Sequence, residues 1–210
     1  MELQDLNDYI IEGNVKAAEE WTKGALSQGM APIVIVNQGL IPGMDVVGAK
    51  FKSFEYYLPE LLVSAKAMKT AMALVKPLLA RHESAAVGQV VIGTVKGDLH
   101  DIGKNLVGML LEGAGFEVTD LGTDVEPEAF LKAVEEKQPQ VLCLSALLTT
   151  TMPNMKSTIE LMRESEVRLQ TKIMVGGAPV TEHYAFDIGA DGYAAEAASA
   201  VDRIKELVRG

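Results

Sequence analysis

From about residue 88 onward the chain alternates strand-like runs with amphipathic stretches, and this alternation restricts the fold more than any other feature of the sequence. The strand-like runs are Val90–Val95, Glu117–Leu121, Val141–Leu147, Lys172–Val175 and Gly192–Ala194. The segments after them, to Ala114, over Glu126–Lys137, over Pro153–Glu164, from Thr181 and to Val208, have apolar residues at helical spacing. A helix between two strands carries the chain back to the edge it started from. Successive strands therefore run parallel, and helices cover both faces of the sheet. Five strands with helices between them suit a flavodoxin-like, Rossmann-like order with the first and third strands adjacent. Ligands of such sheets bind beyond the carboxyl ends of the strands, at the switch point.

The first part of the chain reads as helix throughout, to about residue 82. Asn14 is an N-cap for Val15–Ser27, which ends at Gly29. Pro32 and Pro59 suit first turns, and Pro77 disturbs the last turn of the helix that Pro59 begins. Leu61, Leu62, Ala65, Met68, Met72 and Val75 recur at helical spacing as one expected apolar face. The expectation is an α/β chain with two domains: a four-helix bundle over 1–85 and a five-stranded parallel sheet domain over 88–210. The short polar stretch His82–Val87 is a hinge between them.

With 29 acidic and 19 basic residues the net charge is −10, which argues against nucleic acid and anionic membrane as partners. Cys143 is the only cysteine, so no internal disulfide forms and a reducing, cytoplasmic location is expected. No signal peptide is recognised, and no apolar run is read as long enough to span a membrane.

Chemistry concentrates in Gly97-Asp98-Leu99-His100-Asp101-Ile102-Gly103, a loop between the first strand of the sheet and the next helix. Asp98 is close enough to hold one ring nitrogen of His100, which leaves the other nitrogen free for a metal. Asp101 is also a candidate helix N-cap. The hydroxyl-rich run Ser145–Thr151 and the pair Gly176-Gly177 fall at the same sheet edge, although the threonines are equally candidate caps for the helix near Pro153. A bare metal ion is poorly served there, because His82 and His183 are the only other histidines and neither belongs to this cluster. A structural zinc wants four nitrogen or sulfur ligands. A metal carrying its own macrocycle needs one axial ligand.

Asp98-x-His100-x-x-Gly103, then 41 residues, Ser145-x-Leu147, then 28 residues and Gly176-Gly177 resembles the cobalamin-binding signature. The chain is similar to the cobalamin module of methionine synthase, and more closely to the small corrinoid proteins of methyltransferase systems. The likeness spans nearly the whole chain, since those proteins also carry a helical bundle before a Rossmann-like domain. It implies cobalamin or a related corrinoid as cofactor, with His100 as the lower axial ligand of cobalt in place of the cofactor's own base. Asp98 would hold His100, and Thr151 would bond that aspartate. Ser145, Leu147, Thr149, Gly176 and Gly177 would line the slot for the nucleotide tail, with Ala197 touching it. Gly97, Asp101, Ile102 and Gly103 complete the cofactor-contacting set. The segments Val47–Phe51 and Tyr56–Leu61 resemble the family's cap over the upper cobalt face, where Phe51, Leu58 and Leu61 would exclude water, although Leu61 also fits a bundle core.

The function this resemblance implies is that of a non-autonomous corrinoid subunit. It would accept a methyl group on Co(I) from a donor-specific methyltransferase and deliver it as methyl-Co(III) to a second methyltransferase acting on tetrahydrofolate or a thiol. A reductive activase is a further implied partner, and nothing resembles a catalytic barrel for the donor. Rival readings are a cobalamin-based sensor, a module of an adenosylcobalamin-dependent isomerase, and a flavodoxin-like domain that binds no corrinoid.

Overall fold

The computed structural model describes residues 2–79 and 87–209. Its contacts divide the chain into a unit ending at Val87 that also takes in Glu112–Gly115, and a unit made of Gly88–Leu111 and Phe116 onward. Apart from Val87, the expected hinge lies outside the described residues.

In the first unit, α1 spans Leu3–Ile11 and α2 spans Val15–Ser27. Asn14 caps α2 by accepting a bond from the Ala17 amide at 3.1 Å. A continuous helix then runs over Pro32–Lys52 as α3 (Pro32–Val34), a π-helical stretch (Ile35–Leu40) and α4 (Ile41–Lys52). Pro42 explains the π stretch. Proline has no N–H to give the carbonyl four residues back, and its ring crowds that turn, so the helix widens just before it. The carbonyl released in this way, that of Gln38, accepts instead from the Asn7 side chain at 3.1 Å.

An 18-residue stretch of the Pro32–Lys52 helix has a mean hydropathy of 1.3, and the helix is long enough to cross a bilayer, an exception to the expectation that no run reaches that length. Its apolar face, including Ile35, Leu40, Met44 and Val47, is buried, and the helix packs against α1 and α5 (Leu58–Val75).

Glu60 opens α5 by accepting from the Tyr57 amide at 3.0 Å, and the helix gives way to a 3-10 turn, Lys76–Leu78, at Pro77. The buried stripe of α5 is Leu61, Ser64, Ala67, Met68, Ala71 and Val75. This corrects the expected face: Leu62 is exposed, and Ala65 and Met72 are half-buried. Small residues replace larger ones on the true face because α2 packs closely there. Ser64 satisfies its buried hydroxyl on the Ile11 carbonyl at 3.2 Å.

In the second unit, β1 (Gln89–Thr94), β2 (Glu117–Asp120), β3 (Val141–Ser145), β4 (Lys172–Gly176) and β5 (Gly192–Ala194) form one parallel sheet in the order β2-β1-β3-β4-β5. The helices are α6 (Ile102–Gly113), α7 (Pro127–Lys137), α8 (Pro153–Arg163), α9 (Glu182–Ile188) and α10 (Ala197–Arg209). This is the five-stranded flavodoxin-like arrangement expected, with β1 and β3 adjacent at the switch point.

The two faces of the sheet are used differently. Val91, Leu142, Leu144, Ile173 and Val175 belong to a close-packed core with Phe130, Val134, Met155, Ile159, Met162 and Ile188 of α7, α8 and α9. Each large side chain buried there contributes about 1.5–3 kcal/mol. Gly93 is required on that face, because a Cβ would meet the Phe130 ring at 2.6 Å. The opposite face carries Ile92, Cys143 and Met174 in one cross-strand row, with Thr94, Ser145 and Gly176 in the next.

Candidate functional site

The loop after β1 is pinned by neighbours on several elements. Thr94, buried at the end of β1, donates its hydroxyl to the His100 carbonyl at 2.9 Å. Gly97 turns the chain with φ +78°, and its amide donates to Asp124 Oδ1 at 2.6 Å. Asn154 of α8 donates to the Lys96 carbonyl at 2.8 Å. Helix α6 then begins at Ile102, so Ile102 and Gly103, expected to belong to the loop, form its first turn instead. Asp101 precedes that turn, and its carboxylate accepts from the Asn105 side chain at 3.0 Å.

Asp98 is wholly buried. Its Oδ2 accepts from Thr151 Oγ1 at 2.7 Å, from the Leu147 amide at 2.8 Å and from the Leu148 amide at 3.3 Å. Its Oδ1 takes the His100 amide at 3.1 Å and lies 2.7 Å from His100 Nδ1. Burial alone would raise the Asp98 pKa. The bonds from Thr151, Leu147 and His100 outweigh that and hold the carboxyl well below the usual carboxylate range. An ionised Asp98 accepts only, so the proton of a neutral His100 sits on Nδ1 and the lone pair on Nε2. The imidazole is half exposed, and Nε2 has no partner among the described residues.

Beside it a cavity of about 490 Å³ opens between the Ile92–Cys143–Met174 face of the sheet and helices α6 and α10. His100, Asp101, Ile102, Gly103, Ser145, Leu147, Gly176, Gly177 and Ala197 line it, so most of the expected site residues converge there. Gly97, Asp98 and Thr151 do not line it and act from behind the histidine. Thr149 is exposed in the turn after β3 and does not line the cavity either. Gly177 has φ +130°, and a Cβ there would fall 1.9 Å from the Ala146 carbonyl oxygen, so glycine is obligatory. His183 pairs with Asp187 on α9 at 3.4 Å, away from this cluster, and His82 lies outside the described residues.

Sequence reasoning missed the inner wall: Ile92, Cys143, Met174, Ala200, Ile204 and Lys104. Lys104 is buried, donates to Asn105 Oδ1 at 2.7 Å and pairs with Asp120. The β1–β3–β4 register places the first three side by side, a juxtaposition that composition and periodicity do not reveal.

The residues present fit a metal that brings its own macrocycle. Among the described residues no group of three or more His, Cys, Asp or Glu side chains is placed to hold a bare ion. His100 supplies one nitrogen. Around it Leu99, Ile102, Leu147 and Leu148 stand exposed, an apolar collar that calls for a large partner. At Gly103 an added Cβ would meet no atom within 4 Å, so this glycine leaves open space that the chain's own packing does not need.

Two family profiles, both described as B12 binding domain, match residues 88–203 and 2–76. The chain belongs to the B12-binding corrinoid proteins, the family that includes corrinoid proteins of methylamine methyltransferase systems, and its cofactor is a cobalamin-type corrinoid. Among its relatives, the trimethylamine corrinoid protein of Methanosarcina barkeri is 44% identical over 94% of this chain and 92% of that one. The dimethylamine corrinoid protein of the same organism is 42% identical over 98% and 97%. Among solved structures, the methanol:cobalamin methyltransferase complex from Methanosarcina barkeri superposes with a TM-score of 0.90 at 31% identity, covering 99% of this chain and 80% of that one.

Proposed function

We propose that this chain is a methyl carrier in which His100 Nε2 is the lower axial ligand of cobalt. The observation that carries the reading is the buried Asp98 carboxylate on His100 Nδ1, which places the lone pair of the neutral ring on Nε2, beside an apolar collar. The corrinoid, when bound, supplies the nucleophile that takes the methyl group and later releases it. The chain's own residues ligate, orient and shelter. Asp98 and Thr151 hold the imidazole, and Ser145, Leu147, Gly176, Gly177 and Ala197, which line the cavity, receive the nucleotide tail, whereas Thr149 stands outside it.

The donor is a small methylated compound delivered by a partner methyltransferase. The names of the trimethylamine and dimethylamine relatives support a methylamine. A second methyltransferase acting on tetrahydrofolate or a thiol is the acceptor partner, and a reductive activase restores the carrier. A cytoplasmic location is part of this reading, supported by the lone, buried free thiol of Cys143.

Residues 1–85 form the cap domain and 88–210 the binding domain. Phe51, half-buried, and Leu58, exposed, would cover the upper face, whereas Leu61 is buried in the bundle core on α5.

The test is spin resonance of the Co(II) form. The wild type should show coupling to one axial nitrogen, and His100→Ala should lose it while remaining folded. The same coupling in His100→Ala would assign the ligand elsewhere.

A further inference from the structure

We infer that the inner end of the cavity selects the corrinoid by its nucleotide base, admitting a benzimidazole-type base and discriminating against a purine, with Ile92, Cys143 and Met174 setting the choice. This rests on the corrinoid reading above and adds the chemical class of the tail.

The argument begins with strand register. Ile92 pairs with Cys143 and Cys143 with Met174, so the three residues stand side by side on β1, β3 and β4. Side chains two residues apart on a strand share a face, which puts this row directly behind Thr94, Ser145 and Gly176. The cavity is therefore graded. Near the loops it meets the Ser145 hydroxyl and the Gly176-Gly177 backbone; further in it meets a branched hydrocarbon, a thiol and a thioether.

The inner row is 3–5% exposed, and Ala200 and Ile204 of α10 close it from the other side. Its backbone offers nothing to a ligand, because the N–H and C=O groups of central parallel strands are spent sideways on their neighbours. Only side chains face inward, and none is a good hydrogen-bonding group.

A benzimidazole is suited to such a floor. Its edge away from the ribose is hydrocarbon, and sulfur makes favourable contacts with aromatic rings. A purine such as adenine presents an exocyclic amine and ring nitrogens on the corresponding edge. The amine needs an acceptor, and the inner row supplies only weak sulfur. Lys104 cannot accept from that amine, since an ammonium only donates, and two of its three N–H groups are committed to Asp120 and Asn105. A buried donor left without a partner weakens binding roughly ten- to a hundredfold.

The experiment titrates the apoprotein with three corrinoids: cobalamin with its dimethylbenzimidazole, the adenine-tailed analogue, and tail-free cobinamide. Visible absorption gives each dissociation constant, and spin resonance of the Co(II) form reports His100 ligation in each complex. Cobalamin should bind roughly ten- to a hundredfold more tightly than the adenine-tailed analogue, with cobinamide weakest. Met174→Gln, which puts an amide of similar length into the floor, should narrow the gap to a few-fold, and Cys143→Ser should narrow it less.

Equal or tighter binding of the adenine-tailed analogue, with His100 ligation in both complexes, overturns the selection while leaving the corrinoid reading intact. Cobinamide binding as tightly as cobalamin overturns it as well, since the tail would then contribute nothing. An unchanged ratio in both folded variants removes the floor row as its cause. If none of the three corrinoids binds, the function itself is wrong and the selection falls with it.

Discussion

Asp98→Asn is the sharpest perturbation of this site, because it keeps the shape and removes one acceptor. The carboxylate serves two groups of donors. Oδ2 takes the Thr151 hydroxyl and two backbone amides, while Oδ1 takes the His100 amide and ring. An asparagine has one acceptor oxygen and one NH2. The oxygen will face the three-donor side, since the opposite orientation leaves three buried donors unpaired. The NH2 then faces His100.

Nδ1 must give up its proton to accept from that NH2, and a neutral imidazole with bare Nδ1 carries its proton on Nε2. The atom expected to bind cobalt is thereby blocked. The loss of histidine ligation should be about 10–100-fold. The His100 amide, now opposite a donor, should lower stability by about 1–3 kcal/mol. The fraction of histidine-ligated Co(II) corrinoid at neutral pH, measured by spin resonance beside urea unfolding, checks both numbers. An unchanged ligated fraction in a variant of wild-type stability would refute the tautomer argument and take Asp98 out of the ligand network.

Further predictions concern acid and the glycines. Because Asp98 has a lowered pKa in the folded state, its contribution to stability should be complete above the ordinary carboxylate value of about 4 and lost only as pH falls through the lower, folded value. The stability gap between wild type and Asp98→Asn should therefore hold through neutral pH and shrink below about pH 4 in urea titrations. Gly177→Ala combines a backbone strained at φ +130° with a 1.9 Å approach to the Ala146 carbonyl, and should lose about 3 kcal/mol or more in the same assay. Gly103→Ala should instead stabilise the apoprotein by about 0.5–1 kcal/mol, as expected for alanine in a helix, while weakening corrinoid affinity in absorption titrations.

The sheet order and the histidine loop were legible from sequence for different reasons. Alternating strands and helices leave few topologies open, and the two-residue spacing from Asp98 to His100 decides which ring nitrogen the carboxylate can reach. What escaped depends on contacts between distant residues. The π stretch before Pro42 is tolerated because Asn7, on another helix, takes the Gln38 carbonyl. The buried stripe of α5 is set by how closely α2 approaches, which hydrophobicity alone does not report. Lys104 looks like a solvated helix residue until Asp120, on β2, is placed beside it. The inner row of the cavity was hidden for a more general reason. Central parallel strands are apolar on both faces, so neither composition nor periodicity distinguishes a face that is packed from one that is hollow.

That difference between faces ties the fold to the function. On the packed side Gly93 is glycine because the Phe130 ring occupies the space a Cβ would take. At the cavity Gly103 is glycine although nothing of the chain lies within 4 Å of where its Cβ would be. The first is explained by the protein's own core, whereas the second leaves room at the cavity that a bound corrinoid would use. The anchor of His100 follows the same division. Its carboxylate is buried and held by Thr151 and the amides of Leu147 and Leu148, in the turn that leads into α8, a helix of the packed side. The imidazole orientation therefore does not depend on what fills the cavity. An apolar cavity whose ligand is absent forgoes favourable contacts, and the filled face compensates by carrying the stability of the sheet. A carrier that must hold its ligating nitrogen steady while partners come and go gains from keeping those two tasks on opposite sides of one sheet.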